Sequence, residues 1–345
     1  MSRKAVRGAW CVVLLLSCSR DHRTPLVIYS PHGRDLLTLF EQRFEAQHPD
    51  VDVRWLDMGS QDVYDRVRSE RANPQADVWF GGPSLILAQA ASDSLLDCAP
   101  GGPSWAAAIP PRGRGEGDCY FAAYETPAVF LYAEKVVSAA DAPQDWDDLL
   151  DPKWQGKLIL RDPLASGTMR AVFGLIMLRA QKSPGDTASG FAWLRRLDGQ
   201  AKEYVQNPAL VSEKIARQEA LVTVWDLPDV LISRRRGMPI GYVFPRSGTV
   251  AIEDGIAVVR GTRHLAAARA FVDFVGSQGM QLAAAHEVFR LPARQDLPAD
   301  SLPDWVRDVR RRMVVADVDW RLLAQRGPEW MRWWDQHVRG TGSTR

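Results

Sequence analysis

Short apolar runs alternate with apolar positions spaced four apart along most of the chain, and the alternation predicts strands and helices in turn. Leu26-Val27-Ile28-Tyr29 reads as a buried strand running into Ser30-Pro31-His32-Gly33. Leu36, Phe40 and Phe44 then mark one buried face of a helix that stops at Pro49. Val51, Val53 and Trp55 alternate as a strand with one covered face should. Gly59-Ser60 opens a second helix, with Val63 and Val67 four apart, and Asp77-Val78-Trp79-Phe80 makes a third strand ending at Gly81-Gly82. Strand, helix, strand, helix, strand is the order of a parallel sheet, because parallel neighbours need a crossover between them.

The unit starts afresh further on. Ala128 to Tyr132, just after Pro127, reads as an apolar strand, Trp146, Leu149 and Leu150 as a short helix, and Lys157 to Leu160 as a strand running into Asp162-Pro163. Ser166-Gly167-Thr168 begins an apolar helix that reaches about Arg179. Leu221-Val222-Thr223-Val224 ends at Trp225-Asp226, and Ile240 to Phe244 runs into Pro245-Arg246-Ser247-Gly248-Thr249. In a parallel sheet the strand carboxyl ends and helix amino ends gather on one edge, where open α/β folds bind ligands. Free N–H groups at those helix ends favour anions. Candidate ligand residues are therefore Ser30, His32, Ser60, Gly82, Ser166, Gly167, Thr168, Trp225 and Asp226, with Arg34 or Arg246 adding a charged contact.

The amino-terminal pattern changes the picture of where the chain works. Arg3, Lys4 and Arg7 precede the apolar run Ala9 to Leu16, and Ser17 stands before Cys18, which is the charged, apolar, small order of a bacterial secretory signal. The run is too short to span a bilayer, which takes about 20 residues. Leu15-Leu16-Ser17-Cys18 reads as a lipobox, so residues 1–17 are expected to be removed and Cys18 lipidated, with 18–24 as a tether. Several acyl chains make such an anchor stable. Of the four cysteines, Cys98 and Cys119 then remain in the body, and an oxidising compartment favours a disulfide closing the Gly/Pro-rich loop between them. Two unpaired buried thiols are the other reading, and two cysteines are too few for a structural zinc site.

Composition narrows the function classes. Loss of the three signal-peptide cations takes the formal charge from +1 to −2, which gives no electrostatic footprint for nucleic acid. The 345 residues, 46% hydrophobic, suffice for two domains. No nucleophile elbow, Walker loop or His-Glu-x-x-His helix is present, so an enzyme is not expected. Gly113-Arg114-Gly115-Glu116-Gly117 lacks the flanking strand and helix of a phosphate loop and reads as an ordinary loop. His32 is either a ligand or metal contact or a structurally hydrogen-bonded histidine. Trp330, Trp333 and Trp334, at helical spacing, read as core or lobe-capping residues.

Taken together, Asn73 to Gly82, Trp146 to Lys157, Asp162 to Thr168, Gly248 to Ala257, Ala316 to Trp320 and Trp330 to Trp334 resemble family 1 extracellular solute-binding proteins. The branch most similar holds the ferric-ion, phosphonate and sugar-phosphate binders of ABC importers. The resemblance implies a periplasmic-binding-protein type II fold, α/β, with two lobes and a ligand cleft between them. Lobe 1 would hold 25–124 and 246–297 and lobe 2 would hold 125–245 and 298–345, with crossovers near Tyr124-Glu125-Thr126 and Phe244-Pro245-Arg246. It implies no cofactor, a small-molecule or ion ligand, an ABC permease as partner, a monomer, and a lipid-anchored place in the periplasm or cell envelope. Ferric-binding relatives commonly offer adjacent tyrosines, and this chain has no Tyr-Tyr pair. An anionic solute of the phosphorylated or phosphonate kind is the leading expectation, ferric ion or a ferric chelate the alternative, and no metal ligand is assigned.

Overall fold

The computed structural model describes residues 22–341, so the apolar signal run and Cys18 lie outside the described residues. The first unit comprises β1 (Thr24–Ser30), α1 (Arg34–Gln47), β2 (Val51–Asp57), α2 (Ser60–Ser69), β3 (Val78–Pro83) and α3 (Ser84–Ser92). The long strand β4 (Phe121–Ala133) leads into the second unit. That unit holds β5 (Leu158–Arg161), α4 (Gly167–Arg179), α5 (Thr187–Gln200), β6 (Ala201–Val205), α6 (Ala209–Ala216), β7 (Val222–Asp226), α7 (Leu227–Arg235) and β8 (Ile240–Val243). The chain returns through β9 (Ala251–Val258), α8 (Leu265–Val275), α9 (Gln278–Val288) and β10 (Leu291–Pro292), then closes with α10 (Asp304–Arg312) and α11 (Trp320–His337).

All ten strands belong to one hydrogen-bonded sheet in the order β2-β1-β3-β9-β4-β7-β5-β6, with β8 and β10 also on β4. The parallel pairs sit in the two halves, β1 with β2 and β3, and β5 with β6 and β7. Antiparallel β4 and β9 join them. This is a two-lobed α/β fold, and each half-sheet is covered on both faces. In the first half, Phe40, Phe44, Phe80 and Phe271 pack on one face and Val63, Val67, Trp79 and Leu87 on the other. In the second, Met169, Phe173, Leu194 and Trp334 oppose Val211, Val230, Ile159 and Val306. Full burial of a side chain such as Phe40 or Phe44 contributes about 1.5–3 kcal/mol. The outermost strands are the polar ones: Arg54 on β2 and Lys202 on β6 are exposed, which guards the sheet edges against further pairing.

Three local readings are corrected. The strand expected from Ala128 starts at Phe121 and passes through Pro127. A proline normally ends a central strand because it cannot donate to the ladder. Pro127 is tolerated because β4 changes partners there: Pro127 lies opposite Ala251, and Ala128 opposite Asp226. The third strand does not stop at Gly81-Gly82 but continues to Pro83 with an irregular register, and φ of 102° and 91° at these glycines explains why no side chain stands there. The expected tether is shorter at its far end, since β1 begins at Thr24 and Arg23 is paired with Glu45 at 3.0 Å and Asp52 at 2.9 Å.

Cys98 and Cys119 form the expected disulfide, beside the α2–α3 face of the first half. Trp330 and Trp334 are buried in the second-half core, whereas Trp333 is partly exposed and packs at a tilt against Phe191 with ring centroids 4.0 Å apart. Among the described residues no helix is long and apolar enough to cross a membrane.

Candidate functional site

The carboxyl ends of β1, β2, β5 and β7 and the amino ends of α2 and α4 converge on a cavity of about 500 Å³ between the halves. Its wall includes His32, Ser60, Ser166, Gly167, Thr168, Trp225 and Asp226, so seven of the nine candidate ligand residues meet in one place. Ser30 and Gly82 stand behind the wall. The Ser30 hydroxyl accepts from the His32 N–H at 3.3 Å, and the Gly82 N–H donates to Asp254 Oδ1 at 2.9 Å. Arg34 lines an adjoining chamber, while Arg246 is exposed and turned toward Gln144.

In the second half the wall presents hydrogen-bond donors. Ser166 caps α4 by accepting from the Met169 N–H at 3.2 Å, and its carbonyl takes the Arg170 N–H at 3.0 Å. No acceptor among the described residues takes the N–H groups of Gly167 or Thr168. Those groups carry the positive end of the α4 dipole into the cavity. Arg161, at the end of β5, adds a buried guanidinium that donates to the Val205 carbonyl at 3.0 Å and has Asp162, Asp226 and Asp62 nearby.

Gly167 also lets the halves touch. A Cβ there would meet Pro83 Cδ at 2.7 Å and Ser60 Oγ at 3.3 Å. Beside it, Arg170 Nη1 donates to Gln61 Oε1 at 2.6 Å across the cleft, and Arg236 pairs with Asp35 on the opposite rim.

Carboxylates line the same cavity: Asp57, Asp62, Asp226, Asp229 and Asp254. Burial, reinforced by Asp229, pushes the Asp226 carboxyl well above its ordinary value, and a hydrogen bond with the Thr168 hydroxyl opposes the shift. Burial likewise raises Asp229 and Asp254. Asp226 Oδ1 is buried without a hydrogen-bond partner. Asp254 differs, since it accepts from both the Gly82 N–H and the Thr126 hydroxyl.

His32 lies against the Tyr124 hydroxyl and packs over Gly81, where a Cβ would come within 1.9 Å of its Nε2. Burial, then the nearby Arg290, holds its imidazole below the usual range and therefore neutral at pH 7. The Tyr124 phenol, raised by burial, shares a hydrogen bond with Nε2. His32 is thus structurally bonded and on the cavity wall at once.

Arg161, Arg290, Thr126, Asp229 and Asp254 were not singled out from the sequence. Arg161 carried a usable signal, because it ends a predicted strand on the same edge as the chosen serines. Arg290 and Asp254 carried none, since they arrive from the α9–β10 connection and from β9, far along the chain.

Three comparisons place this architecture among known proteins. Residues 41–311 match a family model described as bacterial extracellular solute-binding protein. The chain is 27% identical over 313 residues to a probable ABC transporter periplasmic-binding protein of Sinorhizobium fredii, covering 89% of this chain and 84% of that one. It is 28% identical over 310 residues to a putative 2-aminoethylphosphonate-binding periplasmic protein of Salmonella typhimurium, covering 87% of each. Its fold is similar to that of the periplasmic binding protein AfuA from Actinobacillus pleuropneumoniae, solved with fructose-6-phosphate, at a TM-score of 0.79 and 23% identity over 92% of this chain and 99% of that one.

Proposed function

We propose that this chain, which belongs to the bacterial extracellular solute-binding protein family, captures a small phosphorylated or phosphonate solute between its lobes and delivers it unmodified to an ABC permease. The observation that carries the reading is the pairing of the open Gly167 and Thr168 N–H groups and Arg161 with the unsatisfied Oδ1 of Asp226 on one cavity wall. A phosphoryl or phosphonate group suits the Gly167 and Thr168 N–H groups, the hydroxyls of Ser60, Ser166 and Thr168, and the Arg161 guanidinium. Asp226 and Asp229 would accept hydrogen bonds from an ammonium or hydroxyls at the other end of the solute, with Trp225 against its apolar part. The relatives named for 2-aminoethylphosphonate and fructose-6-phosphate support this class. None of the seven tyrosines lines the cavity, which weighs against ferric ion as the cargo.

In this reading the protein acts as a monomer in the periplasm, held to a membrane by acyl chains on Cys18. Thermal-shift and calorimetric screening with 2-aminoethylphosphonate, hexose phosphates, inorganic phosphate, ferric citrate and simple amines tests the ligand class. Saturable binding of phosphonates or phosphate esters, recovered intact by ³¹P NMR, is expected. Binding of ferric citrate alone would overturn the reading in favour of iron, and conversion of the ligand would make the protein an enzyme. Cys18→Ala is expected to move the protein from the membrane to the soluble fraction, and an unaltered protein already soluble would remove the anchor.

A further inference from the structure

Arg290 is a buried cation whose guanidinium is left without a hydrogen bond among the described residues. It follows Phe289, whose left-handed φ of 54° ends α9, and its backbone N–H donates to the Ala284 carbonyl at 3.1 Å, so its position is set by the main chain. Only 5% of the residue is exposed. The guanidinium lies over the Tyr124 ring, 5.3 Å from its centroid. Its side chain forms no hydrogen bond or ion pair with any described residue, and Nε is wholly buried without a partner. Asp229, Asp254 and Asp226 surround it at longer range. A guanidinium buried without an acceptor is costly, so a bound group that supplies the acceptor would recover that cost.

Its place in the cleft says what that group is. Arg290 lines both the main cavity and a second chamber of about 410 Å³ that continues past Trp225 and Asp229. Arg34, which has no hydrogen-bond or ion-pair partner among the described residues, faces the same chamber. Asp226 meets Thr168 on one side and has Asp229 and Arg290 within electrostatic range on the other. The cleft therefore presents anion donors at α4, then carboxylates, then a guanidinium. An ammonium beside a carboxylate is the complement of its last two members.

We propose that Arg290 binds a carboxylate of the solute, which makes the ligand an α-amino acid carrying a phosphonate or phosphate on its side chain. The proposal rests on the phosphoryl-binding reading of the cleft given above. A role confined to offsetting the aspartates would make Arg290 indifferent to a ligand carboxylate.

The test is calorimetric titration of the protein with 2-aminoethylphosphonate and 2-amino-3-phosphonopropionate, which differ by one carboxylate. The carboxylated ligand is expected to bind roughly ten- to a hundredfold more tightly. Arg290→Gln should remove that advantage, weakening the carboxylated ligand roughly ten- to a hundredfold more than 2-aminoethylphosphonate. Equal affinity for the two in the unaltered protein overturns the proposal while leaving the phosphonate reading in place, and needs no variant to fold. An equal weakening of both ligands by Arg290→Gln overturns it as well. Failure of both phosphonates, O-phosphoserine and hexose phosphates to bind overturns the parent reading and this proposal with it.

Discussion

Asp254 and Asp226 occupy facing walls of one cleft, both with carboxyls raised by burial, and they differ in what the protein has already given them. Asp254, on β9, takes the Gly82 N–H at 2.9 Å and the Thr126 hydroxyl, so it ties β3 to β4 behind the wall. Asp226, at the amino end of α7, keeps a buried oxygen without a donor. The same contrast runs through the two halves. In the first, His32 is locked to Tyr124 and rests on Gly81; in the second, the start of α4 leaves N–H groups open. Burial and a shifted pKa do not separate a structural carboxylate from a ligand-binding one, whereas an unfilled hydrogen-bonding position does.

The comparison breaks most visibly in folding stability. Asp254→Ala strands the Gly82 N–H and the Thr126 hydroxyl and is expected to cost about 2–4 kcal/mol in urea unfolding. Asp226→Ala, which strands no described backbone donor, should cost far less. Equal losses for the two variants would erase the distinction between the walls.

Ligand affinity sharpens it next. Ser166→Ala and Thr168→Ala are each expected to weaken binding of a phosphonate or phosphate ester by about 1.5–3 kcal/mol, roughly ten- to a hundredfold. Ser166→Ala should in addition cost about 1 kcal/mol of stability, because Ser166 caps α4. Unchanged dissociation constants in calorimetry would move the anion elsewhere in the cleft.

The last test is the dependence of ligand-free stability on pH, whose direction the burial of Asp226 sets. The Asp226 carboxyl holds its proton more firmly in the folded chain, where it is pushed up to about 8, than at its ordinary value of 3.8. The folded state thus keeps a proton that the unfolded chain has lost. The contribution of this group is present at low pH and declines as pH rises from the ordinary carboxylate range toward 8. Asp226→Asn should remove that decline, so that its melting temperature exceeds that of the unaltered protein at pH 8 by more than it does at pH 4. A scanning-calorimetry profile with the same slope in both proteins would assign the pH response to Asp229 or Asp254.

Much of this architecture was legible in the sequence for an identifiable reason. Strand and helix periods are local, so Leu36, Phe40 and Phe44 announced α1, and Ser166-Gly167-Thr168 announced the start of α4. A parallel sheet then places strand carboxyl ends on one edge whatever its further details, which is why most of the chosen polar residues line a single cavity. The run through Pro127 was illegible, because a proline inside a strand becomes tolerable only when the partner strands on either side are known.

What the sequence determined by itself was the elements β1, α1, β2, α2, β3, β5, α4, β7 and β8 in outline, a Cys98–Cys119 disulfide as one of two readings, and the family to which the chain belongs. Only the tertiary structure decided which polar groups are spent inside the protein and which remain for a ligand. Asp254 and Asp226 are the same residue type at the cleft, and Ser30 and Ser60 both end or begin an element on the same edge. Their different roles depend on partners from β3, β4, α4 and β10 that come together only when the chain has folded, since hydrogen bonding is settled by distances in space and not by separation along the sequence.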